Sequence, residues 1–144
     1  MAQKPVVSID DITRADFQFR RPGCDKAVMH EDGAVQSAVF RVAPGSGVPR
    51  HLHSKVYDIF VGIKGLLEIR YEGQHGNGIF ELRPGSFCAM PPGVKHEVYN
   101  PSAGEEAYFF IVHAPHEGYD FVPVDFRHLL PALEDSNYQA PPHR

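Results

Sequence analysis

His51 and His53 stand one residue apart, and Asp58 follows after a gap of four. Imidazoles with a carboxylate suit a borderline divalent metal and leave an open position for water or substrate. That is the composition of a catalytic site, since structural zinc sites more often use thiolates and close every position. A lone His-x-His pair, however, is more commonly two surface histidines on an edge strand with an incidental acid nearby. The choice turns on whether a second segment brings another ligand to the same place.

The segment "PGSFCAMPPGVKHEVYN" does so, because a turn at Pro91, Pro92 and Gly93 leads into His96. On an extended strand His51 and His53 leave the same face, and Asp58 returns to them on the next strand. In "YDIFVGI" the alternation puts Asp58, Phe60 and Gly62 on one side and Tyr57, Ile59, Val61 and Ile63 on the other. His51, His53, Asp58 and His96 are therefore the candidate ligands.

The elements that must position them are strands. Thirteen Gly and thirteen Pro punctuate the 144 residues at short intervals. Between them lie runs rich in Val, Ile, Phe and Tyr, the pattern of an all-β sandwich or barrel. Expected strands are "AVQSAVFRV", "YDIFVGI", "LLEIRY", "GIFEL", "SFCAM", "KHEVYN" and "AYFFIVHA". "EGQHGNG" reads as a glycine-rich hairpin connection with His75 solvated. "VDFRHLLPALED" places Phe126, Leu129, Leu130 and Leu133 on one helical face, with Pro131 limiting it to a short terminal helix. The layout is one domain: N-terminal strands and arm over 1–34, a barrel over 35–113, and an extension over 114–144 whose tail is expected to be mobile.

Taken together, the two motif segments resemble the cupin superfamily. Its first pattern is glycine, five residues, His-x-His, three or four residues, glutamate, six residues, glycine; Gly45, His51, His53, Asp58 and Gly65 stand at these places. Its second is glycine, five residues, Pro-x-Gly, two residues, histidine, three residues, asparagine, and Gly85, Pro91, Gly93, His96 and Asn100 match throughout. The resemblance implies a small antiparallel jelly-roll β-barrel, one divalent metal per chain (Mn, Zn, Fe, Ni or Co) held by His51, His53, Asp58 and His96, and a homodimer. Asp58 departs from the family's glutamate. Its shorter side chain allows a longer bond, a water-mediated one, or a role holding a ligand histidine, with three-histidine coordination as the fallback.

Other residues are less specific. His113 is a candidate proton carrier, weighed against the commoner role of a hydrogen-bonded core histidine. Arg41, Tyr57, Phe60 and Val98 are candidate substrate contacts; Val98 shares the face of His96, whereas Glu97 and Tyr99 point away. Arg41 would pair with a substrate carboxylate. His30, His116, His128 and His143 need only loop or surface roles. Cys24 and Cys88 cannot form a disulfide framework and read as small buried hydrophobes.

With 14 Lys and Arg against 18 Asp and Glu, the net charge is −4, and no basic run exists to draw a phosphate backbone. Nucleic acid is not an expected partner. "AYFFIV" is the longest apolar run and is far too short for a membrane span, and "MAQKPVVSIDD" lacks the apolar centre of a signal peptide, so a cytoplasmic protein is expected. The expected function is a metal-dependent isomerase, lyase or cyclase that uses its ion as a Lewis acid on a small oxygen-rich substrate. The alternatives are an iron or nickel dioxygenase and a cupin that binds a small ligand without turnover.

Overall fold

The computed structural model describes residues 3–124. The helix expected over Phe126–Leu133 and the tail after it lie outside the described residues. Eleven strands form two antiparallel sheets: β1 Gln18–Arg21, β2 Cys24–Glu31, β3 Gln36–Val42, β4 Gly47–Leu52, β5 Tyr57–Lys64, β6 Leu67–Gly73, β7 Gly76–Leu82, β8 Phe87–Met90, β9 Lys95–Tyr99, β10 Ala107–Ala114 and β11 Val122–Pro123. One sheet has the order β1-β2-β3-β10-β5-β8, the other β11-β4-β9-β6-β7. From β3 to β5, and again from β8 to β10, the chain passes to the other sheet with each strand, as a jelly roll does. Among the described strands no ladder closes one sheet onto the other, so the barrel is a two-sheet jelly roll.

The seven expected strand runs all fall on strands. The glycine-rich connection is tighter than expected: β6 and β7 run up to Gly73 and from Gly76, leaving only Gln74 and the exposed His75 as the turn. Core packing lies between the sheets. Phe40 stacks on Phe109 with ring centroids 4.9 Å apart, and Phe60 leans on Phe109 at 5.5 Å. Such pairs contribute about 0.5–1.5 kcal/mol each beyond their buried area. Phe87, by contrast, is 60% exposed, because on β8 it pairs with Val61 on the outward side of the sheet.

Two local features set the frame for the site. Gly47 lies so close to β9 that a Cβ there would sit 1.8 Å from the Val98 carbonyl oxygen, so only glycine lets β4 and β9 approach. The buried Asn100 donates from its amide to the carbonyls of Val42 and Glu105 at 3.0 and 2.8 Å, and its own oxygen accepts from Ser102 N–H. That side chain therefore ties the end of β9 to the end of β3, which gives the motif asparagine a physical reason.

Candidate metal centre

The site lies between the sheets. His51 and His96 come from adjacent strands of the five-stranded sheet, directly paired in register. Val48 pairs with Val98, yet three residues later on β4 His51 pairs with His96, only two residues earlier on β9. One extra residue is therefore absorbed as a β-bulge around Pro49 and Arg50, where a proline can be tolerated. With plain alternation, His51 would fall on the face opposite to Val48; the bulge returns it to the inner one. His53 follows the end of β4, and Asp58 projects from β5 in the facing sheet. Gly93, with φ +84°, turns the chain before β9, and its N–H donates to the His53 carbonyl at 2.8 Å. The turn that delivers His96 is thereby fastened to the segment that delivers His53.

The four side chains are buried, and one ligand atom from each lies within 4.8 Å of all the others. Asp58 Oδ2 is 2.8 Å from His53 Nε2, 2.9 Å from His96 Nε2 and 4.0 Å from His51 Nε2. Each ring is held from behind by a backbone carbonyl. Pro49 O is 2.6 Å from His51 Nδ1, Val94 O is 2.9 Å from His96 Nδ1, and Asp120 O is 2.5 Å from His53 Nδ1. A carbonyl only accepts, so all three Nδ1 atoms carry the proton and donate it. In the neutral rings the Nε2 atoms then present lone pairs toward one another and toward a carboxylate. That arrangement is repulsive unless a cation or protons lie between, and it matches what metal-ligating histidines show: Nε2 toward the ion, Nδ1–H toward a carbonyl. The cluster fits a divalent metal.

The electrostatics agree. Burial, then repulsion from His96 and His53, hold His51 well below the usual histidine range. Burial, the largest single influence, would lower His53 too, but its hydrogen bond to Asp58, the Asp58 charge and the Asp120 carbonyl together outweigh it and leave His53 above that range. Burial would raise Asp58, yet its contacts with His113, His53 and His96 hold it well below the usual carboxylate range.

His113, directly across from Asp58 on β10, faces inward with Nε2 2.8 Å from Asp58 Oδ1. That distance is ion-pair contact without hydrogen-bond alignment, because Oδ1 has no aligned donor. His113 Nδ1 lies 3.3 Å from Gln36 Oε1 on the neighbouring strand. Burial, only partly offset by Asp58, pushes His113 below the usual histidine range. The parity of β10, undetermined from sequence, is thus resolved toward the site.

Phe60 and Val98 line the small cavity beside the cluster, about 30 Å³ in volume. Arg41 and Tyr57 do not line it. Arg41 donates to Asp25 at 2.7 Å and lies over the Phe17 ring, and Tyr57 is 46% exposed. Glu97 points away from the cluster as parity requires, but it is fully buried, with Arg50 Nε 3.3 Å from its Oε2.

Sequence reasoning missed the flanks. Phe121 stacks on His51 at 4.2 Å and 13°, and Tyr119 packs against His53 and His113 with centroids at 5.0 and 4.7 Å. The Asp120 carboxylate holds Ser54 N–H at 2.8 Å, fixing the carbonyl that orients His53. Arg20, Arg21 and Lys26, from β1 and β2, line the same cavity. The one available signal was the cluster of aromatics in "HEGYDF" just after the last core strand.

Solved structures share the fold. One is an uncharacterised conserved protein with a double-stranded β-helix domain from Klebsiella pneumoniae, 20% identical, with TM-score 0.70, covering 86% of this chain and 97% of that one. KdgF from a Halomonas species is 17% identical with TM-score 0.66, covering 78% and 94%. A predicted oxalate decarboxylase from Thermotoga maritima is 17% identical with TM-score 0.63, covering 76% and 98%. No curated protein matches the sequence. The family model described as a cupin domain matches residues 38–113, more than half of the chain and all four clustered ligands, so the chain belongs to the cupin family.

Proposed function

We propose that this cupin is a mononuclear metal enzyme of the non-redox kind, an isomerase, lyase or cyclase for a small oxygen-rich substrate, with one ion per chain. The observation that carries the reading is the convergence of three Nε2 lone pairs on Asp58 beside a cavity, each ring locked by a carbonyl behind it. When bound, a divalent ion supplies Lewis acidity toward a carbonyl or enediolate oxygen. His51, His53 and His96 hold it, with Asp58 as the fourth ligand. His113, inward and beside Asp58, is the residue placed to move a proton on the substrate. Val48, Phe60, Val98 and Phe109 exclude water from the rest of the cavity. The similar structure described as a predicted oxalate decarboxylase is an example of small-acid chemistry on this fold and supports the reading no further than that.

One observation favours a second reading. Asp58 Oδ1 is engaged with His113, and if Asp58 stays there, three histidines leave enough open positions on iron or nickel for both a substrate and O₂. An oxygen electrode separates the two. Turnover under argon with metal-loaded protein is expected, and O₂ uptake stoichiometric with product would replace the first reading by a dioxygenase. Metal and ligand binding with no turnover in either atmosphere would leave a binding cupin. We also place the protein in the cytoplasm as a homodimer: Phe19 and Val28 offer exposed apolar surface for pairing, and light scattering giving a monomer mass would end that part of the proposal.

A further inference from the structure

Lys26 is an ammonium on the inner face of a sheet. It pairs in register with Phe40, whose ring contributes to the core, and its Nζ lies 5.5 Å from that ring's centroid. Its hydrogen-bond partner is a neutral amide oxygen, Gln36 Oε1, at 3.0 Å, the same atom that lies 3.3 Å from His113 Nδ1. Among the described residues no carboxylate lies within 4.0 Å of it. Arg20 and the buried Arg21 line the same cavity, Arg21 with its guanidinium 5.7 Å from the Phe121 ring. Three cations thus face a cavity in which, among the described residues, the only lining carboxylate is Asp58, itself surrounded by histidines.

Desolvating a cation beside a neutral oxygen is unfavourable unless an anion completes the site. A structural role in holding Gln36 does not need a charge, because any hydrogen-bond donor would serve. The cavity is too small for a sugar-sized molecule as it stands. Resting on the metal-enzyme reading above, we propose that Lys26, assisted by Arg20 and Arg21, is a carboxylate-recognition subsite, and that the substrate is a small hydroxy or oxo acid. Its carboxylate is taken by the cations of β1 and β2, while its remaining oxygen faces the histidine cluster. Lys26 also reaches, through Gln36, the histidine placed to move the proton, so recognition of the carboxylate and positioning of His113 share one amide.

The test uses the full chain, zinc-loaded and metal-free, titrated calorimetrically with glycolate, neutral glycolamide and inorganic phosphate. Glycolate is expected to bind at least about tenfold more weakly to Lys26→Gln than to wild type, as loss of a charge-assisted pair requires. Lys26→Arg should recover part of the loss, glycolamide should be weak and indifferent to the substitution, and the zinc content of Lys26→Gln should equal that of wild type. Should Lys26→Gln unfold, Arg20→Gln on the exposed first strand replaces it, with an expected loss of about threefold. The proposal is overturned by equal glycolate affinity in wild type and variant, by no glycolate binding to wild type, by glycolamide matching glycolate, or by phosphate binding more tightly than glycolate. If wild type binds no zinc, the metal reading fails on its own, and the Lys26 dependence of glycolate binding to the metal-free chain still decides the subsite.

Discussion

The cavity has two unlike walls. One, built from β4 and the residue after it, β5 and β10, carries His51, His53, Asp58 and His113, with His96 of β9 behind it against Asp58, and all five residues lie within residues 38–113 matched by the family model. The other, built from β1, β2 and the segment after β10, carries Arg20, Arg21, Lys26, Tyr119 and Phe121, all outside that match. The first wall is imidazole rings around one carboxylate; the second is cations and aromatic faces. The difference is one of composition: the family-matched wall gathers the candidate ligands of an ion, and the flanking wall sets cations and aromatic rings beside them.

The sharpest break of that comparison is to remove a ligand from the first wall. His53→Ala should lower metal affinity by more than about 100-fold, beyond the loss usual for residues that merely support a ligand, while the flanking wall stays folded. Elemental analysis of protein never exposed to chelator reads it, and unchanged content would remove the metal site from the molecule.

Acid should act on the same wall next. His53 lies above the usual histidine range and His51 well below it, so in metal-free protein near neutral pH the proton to be displaced is the one on His53. Metal affinity should fall by about tenfold per pH unit below the raised value of His53, with about one proton released per ion, visible as a buffer-dependent heat of binding. For the metal-free fold the signs differ by residue. The stability His53 contributes is fully present below about 6.5 and is lost as pH rises through its folded value. His51 destabilises as pH falls below about 6.5, because the unfolded chain takes a proton that the folded ring refuses. Asp58 contributes above about 3.9, and that contribution disappears as acid protonates it.

Asp58→Ala should weaken metal binding by about tenfold, less than His96→Ala, since its shorter reach and its contact with His113 share its charge with another partner. A loss equal to that of His96→Ala would make Asp58 as strong a ligand as the histidines. On the second wall, Phe121→Ala removes the ring stacked on His51 and should cost about 1 kcal/mol of stability with less than a tenfold change in metal affinity, by thermal unfolding and metal titration. Smallest of all, Arg41→Gln should leave metal and ligand binding unchanged and cost about 1 kcal/mol, because what it breaks is at the surface: a partly exposed pair with Asp25 and a contact over the Phe17 ring.

The ligands were legible because residue type and spacing declare them: two imidazoles, a carboxylate and a proline-glycine turn before a third imidazole. The strands carrying Asp58 and His96 were legible for the same local reasons, whereas β4, which carries His51 and is broken by Pro49, was not among the expected runs, and His53 lies just past its end. What sequence could not show depends on pairing across the fold. Lys26 belongs to no motif in the sequence, and only its register with Phe40 puts it inside; Arg41 reads as an available guanidinium until Asp25 is found opposite it. His113 was ambiguous because "AYFFIVHA" is apolar on both faces, and only its neighbours β3 and β5 reveal which face is inner. Asp120 acts through its backbone, a contribution no side-chain pattern announces.

The bulge in β4 has a consequence for chain length. Deleting Pro49 would leave His51 two positions after Val48, still inward and still opposite His96, with the kink gone and the strand regular. What would vanish is the Pro49 carbonyl that now accepts the hydrogen bond from the ring's Nδ1–H. The shortened protein would keep its ligand and lose its tautomer: the imidazole could turn over and offer either nitrogen. The surplus residue is thus a grammatical particle in the strand, adding nothing to the surface and settling in which sense the histidine is to be read.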